Sequence, residues 1–542
     1  MMRRLFRFKG GVHPPQHKEM SNRRPIQTAA LPKQLILPLH QHIGESSAPI
    51  VAVGDQVLKG QKIARAQGYV SASLHAPSSG TVVAIEERPI PHPSGLNAEC
   101  MIIETDGEER WTDLRPEDQP YTEMDPSHLR NIIRSAGIVG LGGAGFPSYI
   151  KLNPAGAEIE TLILNGVECE PYITCDDMLM RERPQEIIAG ARIMRHALQA
   201  KEVVIAVEDN KPEAYAALAQ ASAGEDIQVV QVPTLYPAGS EKQLIMVITG
   251  KECPANGLPY QIGVVVNNVG TAAAVHRAID LGQPLISRII TVTGDGVVEA
   301  GNFEVLLGTP MQDLLDQCGG MSADVDRVIM GGPMMGFAMQ STAVPVIKTT
   351  NCLLAAVHDN VAPPSEVLPC IRCGACADSC PVDLLPQQLQ WYARAREFDY
   401  AQEYNLFDCI ECGCCAYVCP SNIPLVHYFR YAKTEIWAQE REKEKADIAR
   451  QRHEFRLARL EREKAEKAAR LAKKKEAVKK PADAQGKDDK QAAIQAAMER
   501  AKAKKAVQTV KPKNTDNLNP AQQQQVDEAE ARRQAKQEEQ KG

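Results

Sequence analysis

Cys370-Ile-Arg-Cys373-Gly-Ala-Cys376-Ala-Asp-Ser-Cys380-Pro381 is followed by Cys409-Ile-Glu-Cys412-Gly-Cys414-Cys415-Ala-Tyr-Val-Cys419-Pro420, and both runs follow one template, C-x2-C-x2-C-x3-C-P. Thiolates spaced by two residues lie on one tight loop and can cover three corners of an iron–sulfur cubane. The proline ends the loop and redirects the chain. Zinc also takes four cysteines, but its sites usually come as two C-x2-C pairs, without a proline behind each. Two [4Fe–4S] clusters are therefore expected. Where two such runs occur together, the fourth cysteine of each ligates the other cluster. That rule assigns Cys370, Cys373, Cys376 and Cys419 to the first cluster, and Cys409, Cys412, Cys415 and Cys380 to the second. Cys414 breaks the register and is left as a spare. The helical stretch PQQLQWYARAREFDYAQ between the runs favours a helical dicluster module over a compact β-hairpin one.

The whole chain has 542 residues, 44% of them hydrophobic, which is enough for several cores. Its formal net charge of −6 gives no global sign of nucleic-acid binding. One dense cysteine cluster in a long chain reads as a metal module in a reducing compartment, not as a secreted disulfide scaffold. Cys100, Cys169, Cys175, Cys253, Cys318 and Cys352 are scattered and read as buried thiols. The N-terminus MMRRLFRFKGGVHPP is basic without an apolar core, so no signal peptide is expected. No stretch approaches the ~18 consecutive apolar residues of a membrane span.

Residues 31–105 read as short strands and turns. PIVAVGDQVLKGQKIA and APSSGTVVAIE carry β-branched residues around glycine turns. Residues 126–290 alternate helical segments (HLRNIIRSAGI, EAYAALAQA, TAAAVHRAI) with short Val/Ile-rich runs (TLILNGVE, KEVVIAVED, IQVVQVP, QIGVVVNNV). Such alternation predicts an α/β domain with a largely parallel sheet. Residues 286–340 are strand-rich again, with MQDLLDQCGG as a helix stopped by Gly319. Beyond Trp437 the chain becomes Ala/Lys/Glu-rich: first a solvated helix, then, from about 480 onward (PADAQGKDDKQ, NPAQQQQ), disorder.

Gly140-Leu-Gly142-Gly143-Ala-Gly145 satisfies G-x-G-x-x-G, but a helix precedes it and Pro147 follows at once. A Rossmann fingerprint needs a strand before it and a helix after it. Alone, the loop reads as a phosphate cradle or as a structural turn. GGAGFPSYIK, LNGVECEPY, YPAGSEKQL and VVVNNVGTA then follow in order. Together these motifs resemble the flavin- and NADH-binding subunit family of respiratory complex I, whose pattern is G-R-G-G-A-G-F-P-T-G-x-K, C-N-A-D-E-x-E-P, Y-x-x-G-E-E and V-N-N-V-E-T. The chain departs from it at Leu141, Val167, Ser240 and Gly270. Residues 31–105 resemble the lipoyl/biotinyl barrel-sandwich hybrid, although the hairpin GYVSASLHAPSSG lacks that family's modified lysine. A structural or docking role is expected there. Over residues ~1–435 the layout resembles the C-type subunit family of the Rnf (Rsx) ion-translocating electron-transport complexes.

The resemblance implies a multidomain α/β and α+β chain. Its parts would be a barrel-sandwich hybrid (1–110), a flavin/NADH-binding α/β domain (120–285), a β-grasp, SLBB-like domain (286–345), a helical dicluster ferredoxin domain (360–435) and a charged tail, helical then disordered (436–542). It implies FMN and NAD(H) beside the clusters. Gly142, Gly143 and Gly145 would let backbone amides approach FMN phosphate and the dinucleotide, and Lys151 would neutralise phosphate. Asn165 would bind the flavin region, and Glu168 and Glu170 would face the flavin–nicotinamide stack. Tyr236, Gly239 and Glu241 match the next motif. Asn267, Asn268 and Thr271 match the last, near ribityl and phosphate. Taken singly, Glu168 and Glu170 also read as surface carboxylates, Tyr236 as a core aromatic and Asn267-Asn268 as a strand end. No acid–base residue is required, since hydride transfer between stacked rings depends on positioning.

By the same resemblance the chain is a peripheral subunit on the cytoplasmic side of the bacterial inner membrane. It would exchange electrons between NAD(H) and ferredoxin to drive ion translocation by integral-membrane subunits. The alternative is a non-catalytic dicluster adaptor that never touches nicotinamide.

Overall fold

The computed structural model describes residues 3–114, 116, 119–255, 257–357, 366–479 and 487–507. The chain divides into two units, Met1–Arg441 and Glu442–Gly542.

The first unit opens with a strap that carries little regular structure. Arg3 pairs with Glu202 at 3.0 Å, the Phe6 amide donates to the Val247 carbonyl, and Val12 bridges to Tyr236. Gln27–Thr28 then joins the edge of a distant sheet, parallel to Gly301–Leu306. The barrel-sandwich part follows. One sheet has the order Gln34–Pro38, Asn97–Thr105, Gly80–Pro89, Gln56–Val57, and the other Ala48–Pro49, Lys62–Arg65, Leu74–His75. Alternation sends Leu35, Leu37, Met101 and Ile103 inward. Beyond its exposed start at Gly68-Tyr69, the lysine-free hairpin is packed inside the molecule: Ser71, Ser73, His75, Ser78 and Ser79 are all buried. A Cβ on Gly137 would lie 2.2 Å from the Ser73 carbonyl oxygen. No swinging arm can leave such a joint.

The α/β domain holds a four-stranded, all-parallel sheet in the order Ile227–Val232, Glu202–Glu208, Thr161–Gly166, Val264–Asn268. These are the Val/Ile-rich runs of the sequence. Three of them are buried because helices cover a parallel sheet, whereas the edge strand Ile227–Val232 is only partly covered. Helices Pro184–Leu198 and Val269–Asp280 pack closely at Gly190, where a Cβ would stand 1.8 Å from the Ala272 carbonyl oxygen. Thr161–Gly166 has the next strand on one side and the last on the other, so the strand order reverses there. In open α/β sheets a crevice opens at that switch, beyond the C-terminal strand ends. Asn165 and Asn268 pair in register at that end.

The β-grasp sheet has six strands in the order Gln27–Thr28, Gly301–Leu306, Ser287–Thr293, Cys352–Val357, Val325–Met330, Phe337–Ala338. It thus runs past residue 345 and takes its edge from the N-terminal strap. The cysteine module is helical and internally repeated. Arg372, Gly374 and Asp383 in the first half, and Glu411, Gly413 and Asn422 in the second, all have positive φ. Short helices Ala375–Asp378 and Cys414–Tyr417 sit at matching places.

Helix Leu425–Lys479 continues the chain, its side chains almost all exposed from Arg441 to Glu476. The second unit contains a further helix, Lys487–Val507, where disorder is expected from the sequence. Alanine-rich sequence such as KQAAIQAAMERAKAKKA has high helix propensity, which outweighs its polarity. NPAQQQQ lies outside the described residues. Among the described residues, no helix is long and apolar enough to cross a membrane.

Lys348 is buried where three domains meet, and its ammonium donates to the carbonyls of Ser73 (2.8 Å) and Gly137 (2.7 Å). Burial lowers its pKa to about 7, from an ordinary 10.5. Between those values the unfolded chain binds a proton that the folded chain lacks, so stability rises with pH across that window and is level below it. Thermal melts of the wild type should therefore gain on Lys348→Met between pH 7 and pH 10.5. Parallel pH profiles for the two proteins would contradict this account.

Candidate functional site: a cleft beside a cysteine module

At the strand-order switch lies a cleft of about 530 Å³, within the range of cofactor sites. Gly142, Gly143, Lys151, Asn165, Glu168, Glu170, Tyr236, Gly239, Glu241, Asn267 and Asn268 all line it. The strand ends deliver the asparagines, and the glycine loop faces them. Two residues singled out in the sequence do not line the cleft. Gly145 is packed away, where a Cβ would lie 2.6 Å from Thr349 Cγ2. Thr271 is buried and accepts the Leu141 amide on Oγ1 at 3.0 Å, so it holds the loop from behind.

Most polar groups of the cleft already have protein partners. Lys151 Nζ donates to Glu241 Oε1 (2.9 Å) and Oε2 (3.0 Å). Asn165 donates to the Gly239 carbonyl and accepts the Val167 amide. Asn268 caps its helix by accepting the Gly270 amide, and donates to Asp176 Oδ2 at 2.6 Å. Glu168 and Glu170 are half-buried and are not the free surface carboxylates that their residue type suggests. Glu168 accepts the amides of Asp176 and Asp177 at the start of helix Cys175–Glu182. Glu170 accepts those of Met334 and Met335. Both therefore tie cleft walls together. Burial pushes the Glu168 pKa up to about 8 and raises that of Asp176. Carboxyls shifted toward neutrality repel a phosphate less. Glu168, Cys175 and Asp176 bring potential metal-ligand atoms within 4.8 Å of one another, but their carboxylates are already engaged as described.

Two features remain unsatisfied. Asn267 Nδ2 is buried against the cleft and finds no acceptor. An orphaned buried donor is costly, and a bound flavin can supply the acceptor. Gly143, at φ +118, has open space where a Cβ would be, so its backbone can meet a ligand directly. The residues present fit FMN.

The cysteine module adjoins the cleft. Ile410 and Cys412 form part of the cleft wall. Cys412 also lines a small, mostly apolar cavity together with Cys380, Cys409 and Cys415. This four-cysteine set matches the cross-shared ligands expected for the second cluster, with Cys380 arriving from the first run. Cys370 and Cys373 are exposed. The Tyr236 hydroxyl donates to the Cys412 carbonyl at 2.6 Å, so this buried aromatic serves as the joint between cleft and module. Lys433 donates to the Cys409 carbonyl (2.7 Å) and to Glu411 (2.8 Å). Cys414 is fully buried beside Tyr236 and outside the four-cysteine cavity.

Several residues of this region carry no sequence signal. Lys18 is buried and donates to the carbonyls of Glu168, Glu170 and Ile173. The Met334–Met335 amides reach the cleft from the β-grasp domain. Asp176 alone had a visible cue, an acidic first helical turn.

Comparison with known proteins agrees with this layout. Family models match residues 6–108 (RnfC barrel sandwich hybrid domain), 133–277 (Nuo51 FMN-binding domain), 289–338 (SLBB domain) and 369–423 (4Fe-4S dicluster domain). The chain is 52% identical to the C-type subunit of the ion-translocating oxidoreductase complex of Pseudomonas aeruginosa, over 86% of this chain and 60% of the relative. It is 48% identical to the same subunit of Vibrio cholerae (93% and 65% covered) and of Serratia proteamaculans (93% and 70%). The chain thus spans 60% to 65% of the length of the first two relatives. Among solved structures, an NAD+-reducing [NiFe]-hydrogenase in the air-oxidized state aligns over 52% of this chain and 55% of that one, at 20% identity and a TM-score of 0.40. That likeness is too distant to bear on function.

The shared cavity leads to a paired test on anaerobically purified protein. Cys380→Ser should lose about half of the bound iron and alter the low-temperature paramagnetic signal of the second cluster, although it lies in the first run. Cys414→Ser should leave iron content unchanged. The opposite pattern would reassign the ligands.

Proposed function

Because the chain belongs to the C-type subunit family of ion-translocating oxidoreductase complexes, we propose that it exchanges electrons between NAD(H), FMN and two [4Fe–4S] clusters. The observation that carries the proposal is the double membership of Cys412: it borders the cofactor cleft and also the four-cysteine cavity. A carrier in the cleft and a cluster in that cavity would share a wall.

Bound FMN would supply the conversion between two-electron hydride chemistry and one-electron transfer. The chain's own residues position it. The Gly142-Gly143 backbone and Asn267 Nδ2 offer donors at the cleft floor. Lys151, held by Glu241, sets a positive charge at its side. Glu168 and Glu170 fix the walls, and Tyr236 holds the cluster loop against the cleft. The second cluster would be bound by Cys409, Cys412, Cys415 and Cys380. The first would be bound by Cys370, Cys373, Cys376 and Cys419, of which Cys370 and Cys373 are exposed, and it forms the outward end of the relay. Integral-membrane subunits and a ferredoxin-like carrier are the proposed partners, on the cytoplasmic face of the inner membrane. By family, this exchange of electrons drives ion translocation.

A second reading, an electron-transfer adaptor without nicotinamide chemistry, draws on the internal pairing of Lys151 and Asn165 and on Leu141 at the glycine loop. Anaerobic purification with iron, sulfide and flavin counted per chain separates the two. The enzyme reading expects bound flavin whose absorbance NADH bleaches, and Asn267→Ala should release that flavin. Iron–sulfur protein without flavin, indifferent to NADH, would leave only the adaptor.

A further inference from the structure

A second cavity, of about 320 Å³, lies behind the glycine loop. Leu141, Cys175 and Asp176 border both it and the flavin cleft, while Trp111 closes it from the barrel-sandwich side and Arg288 from the β-grasp side. Its volume is at the low end for small-molecule sites. Leu179, Ala274, Leu285 and Leu306 give it an apolar lining.

The cations around this cavity are not alike. Arg183 and Arg277 are held by Glu304, Arg277 also by Glu186, and Lys59 by Glu109. Arg288 is 6% exposed, and among the described residues no carboxylate pairs with it. Its outer nitrogens donate to the carbonyls of Lys348 and Leu141, and its Nε finds no acceptor. The nearby carboxyl that acts on it as a counter-charge, Asp176, makes no ion pair with it and is itself shifted by burial toward neutrality. A buried charge so weakly compensated is costly, and a guanidinium cannot escape by losing its proton. An anion in the cavity would supply the missing acceptor and complete the partial compensation by Asp176. Trp111, 38% exposed with Lys59 Nζ 5.2 Å from its ring centroid, adds a flat apolar surface at the rim.

We propose that this cavity binds a small anion with an apolar or aromatic body, its carboxylate or phosphate on Arg288 Nε. The same guanidinium donates to the Leu141 carbonyl, and the Leu141 amide donates to Thr271. An occupant therefore bears on the residue that separates the two cavities.

The test uses the full chain with clusters and flavin in place, held anaerobically. Tryptophan fluorescence and thermal shift would follow titration with benzoate, adenosine monophosphate and inorganic phosphate, with benzamide as the neutral control. Benzoate or the nucleotide should bind saturably and about tenfold or more tighter than benzamide, as expected for a hydrogen bond to a charged group. The stronger of the two distinguishes carboxylate from phosphate. Arg288→Gln should erase the preference for anion over amide. Ala274→Leu, which fills the cavity and leaves Arg288 in place, should abolish binding of both while iron content and cooperative melting stay intact. The proposal is overturned if no anionic probe saturates, or if binding survives Ala274→Leu.

Discussion

The hydrogen bond from Tyr236 to the Cys412 carbonyl holds the cluster loop against the cofactor cleft, and the arrangement of the first unit depends on that seam. Apart from helix Glu241–Thr249 on the cleft side, most of the seam is loop. The cleft wall is a set of strand ends and loops, and the cluster loop is shaped by its future ligands. Such surfaces carry unpaired backbone groups that must find partners once buried. The seam meets this demand with several independent ties. The Gly11 amide reaches the Ser379 carbonyl, Gln243 the Pro381 carbonyl, and Lys242 pairs with Asp408. A protein can tune a cofactor only by fixing its place and surroundings, and here that fixing runs through a shared loop.

Buried ammonium groups do similar work elsewhere. Lys18 gathers three carbonyls below the cleft, Lys348 gathers two at the three-domain joint, and Lys211 reaches the Val167 carbonyl while paired with Glu208 at 2.6 Å. An ammonium offers three donors on a flexible stem. It can therefore satisfy loop carbonyls whose directions no helix or strand would match. Desolvating the charge is the cost. The benefit is a joint between segments far apart in sequence, reached without an extra layer of core. Arg288 belongs to this pattern by its bonds to Leu141 and Lys348, and departs from it by the donor left over.

How much of this was legible depended on the reach of each interaction. The eight cysteines proposed as cluster ligands are a local pattern, since their spacing repeats within runs of twelve residues, Cys370–Pro381 and Cys409–Pro420. The parallel sheet was legible because buried strands show as short Val/Ile runs. Of the thirteen residues named from ordered motifs, eleven line the cleft, yet their bonding could not be read from the motifs. Glu168 looks like a surface carboxylate until helix Cys175–Glu182 turns its first amides onto it. Gly145 and Thr271 share motifs with cleft residues but face away, because a motif records spacing and not direction. Lys18 meets Glu168 across 150 positions, and no local pattern signals such a contact. The helix Lys487–Val507 shows the converse, where alanine content predicts structure better than overall polarity does.

The two halves of the cysteine module share one backbone design but not one environment. Cys412 and Cys415 are buried, whereas Cys370 and Cys373 are exposed. Lys433 and Arg430 converge on Glu411 in the second loop, and Lys433 also touches the Cys409 carbonyl. The equivalent first-loop residue, Arg372, contributes a cation of its own at an exposed position. Cluster potentials respond to net charge, hydrogen bonds to sulfur and solvent exposure. Amides of Leu384 and Glu411 already point at Cys380 and Cys409 Sγ, each at 3.4 Å. Both of these sulfurs belong to the proposed second cluster. A repeated motif in two unlike surroundings would therefore hold two clusters of unlike potential. In the proposed relay the buried member would face the cleft and the exposed member a partner, which would give a symmetric sequence repeat an inner and an outer end.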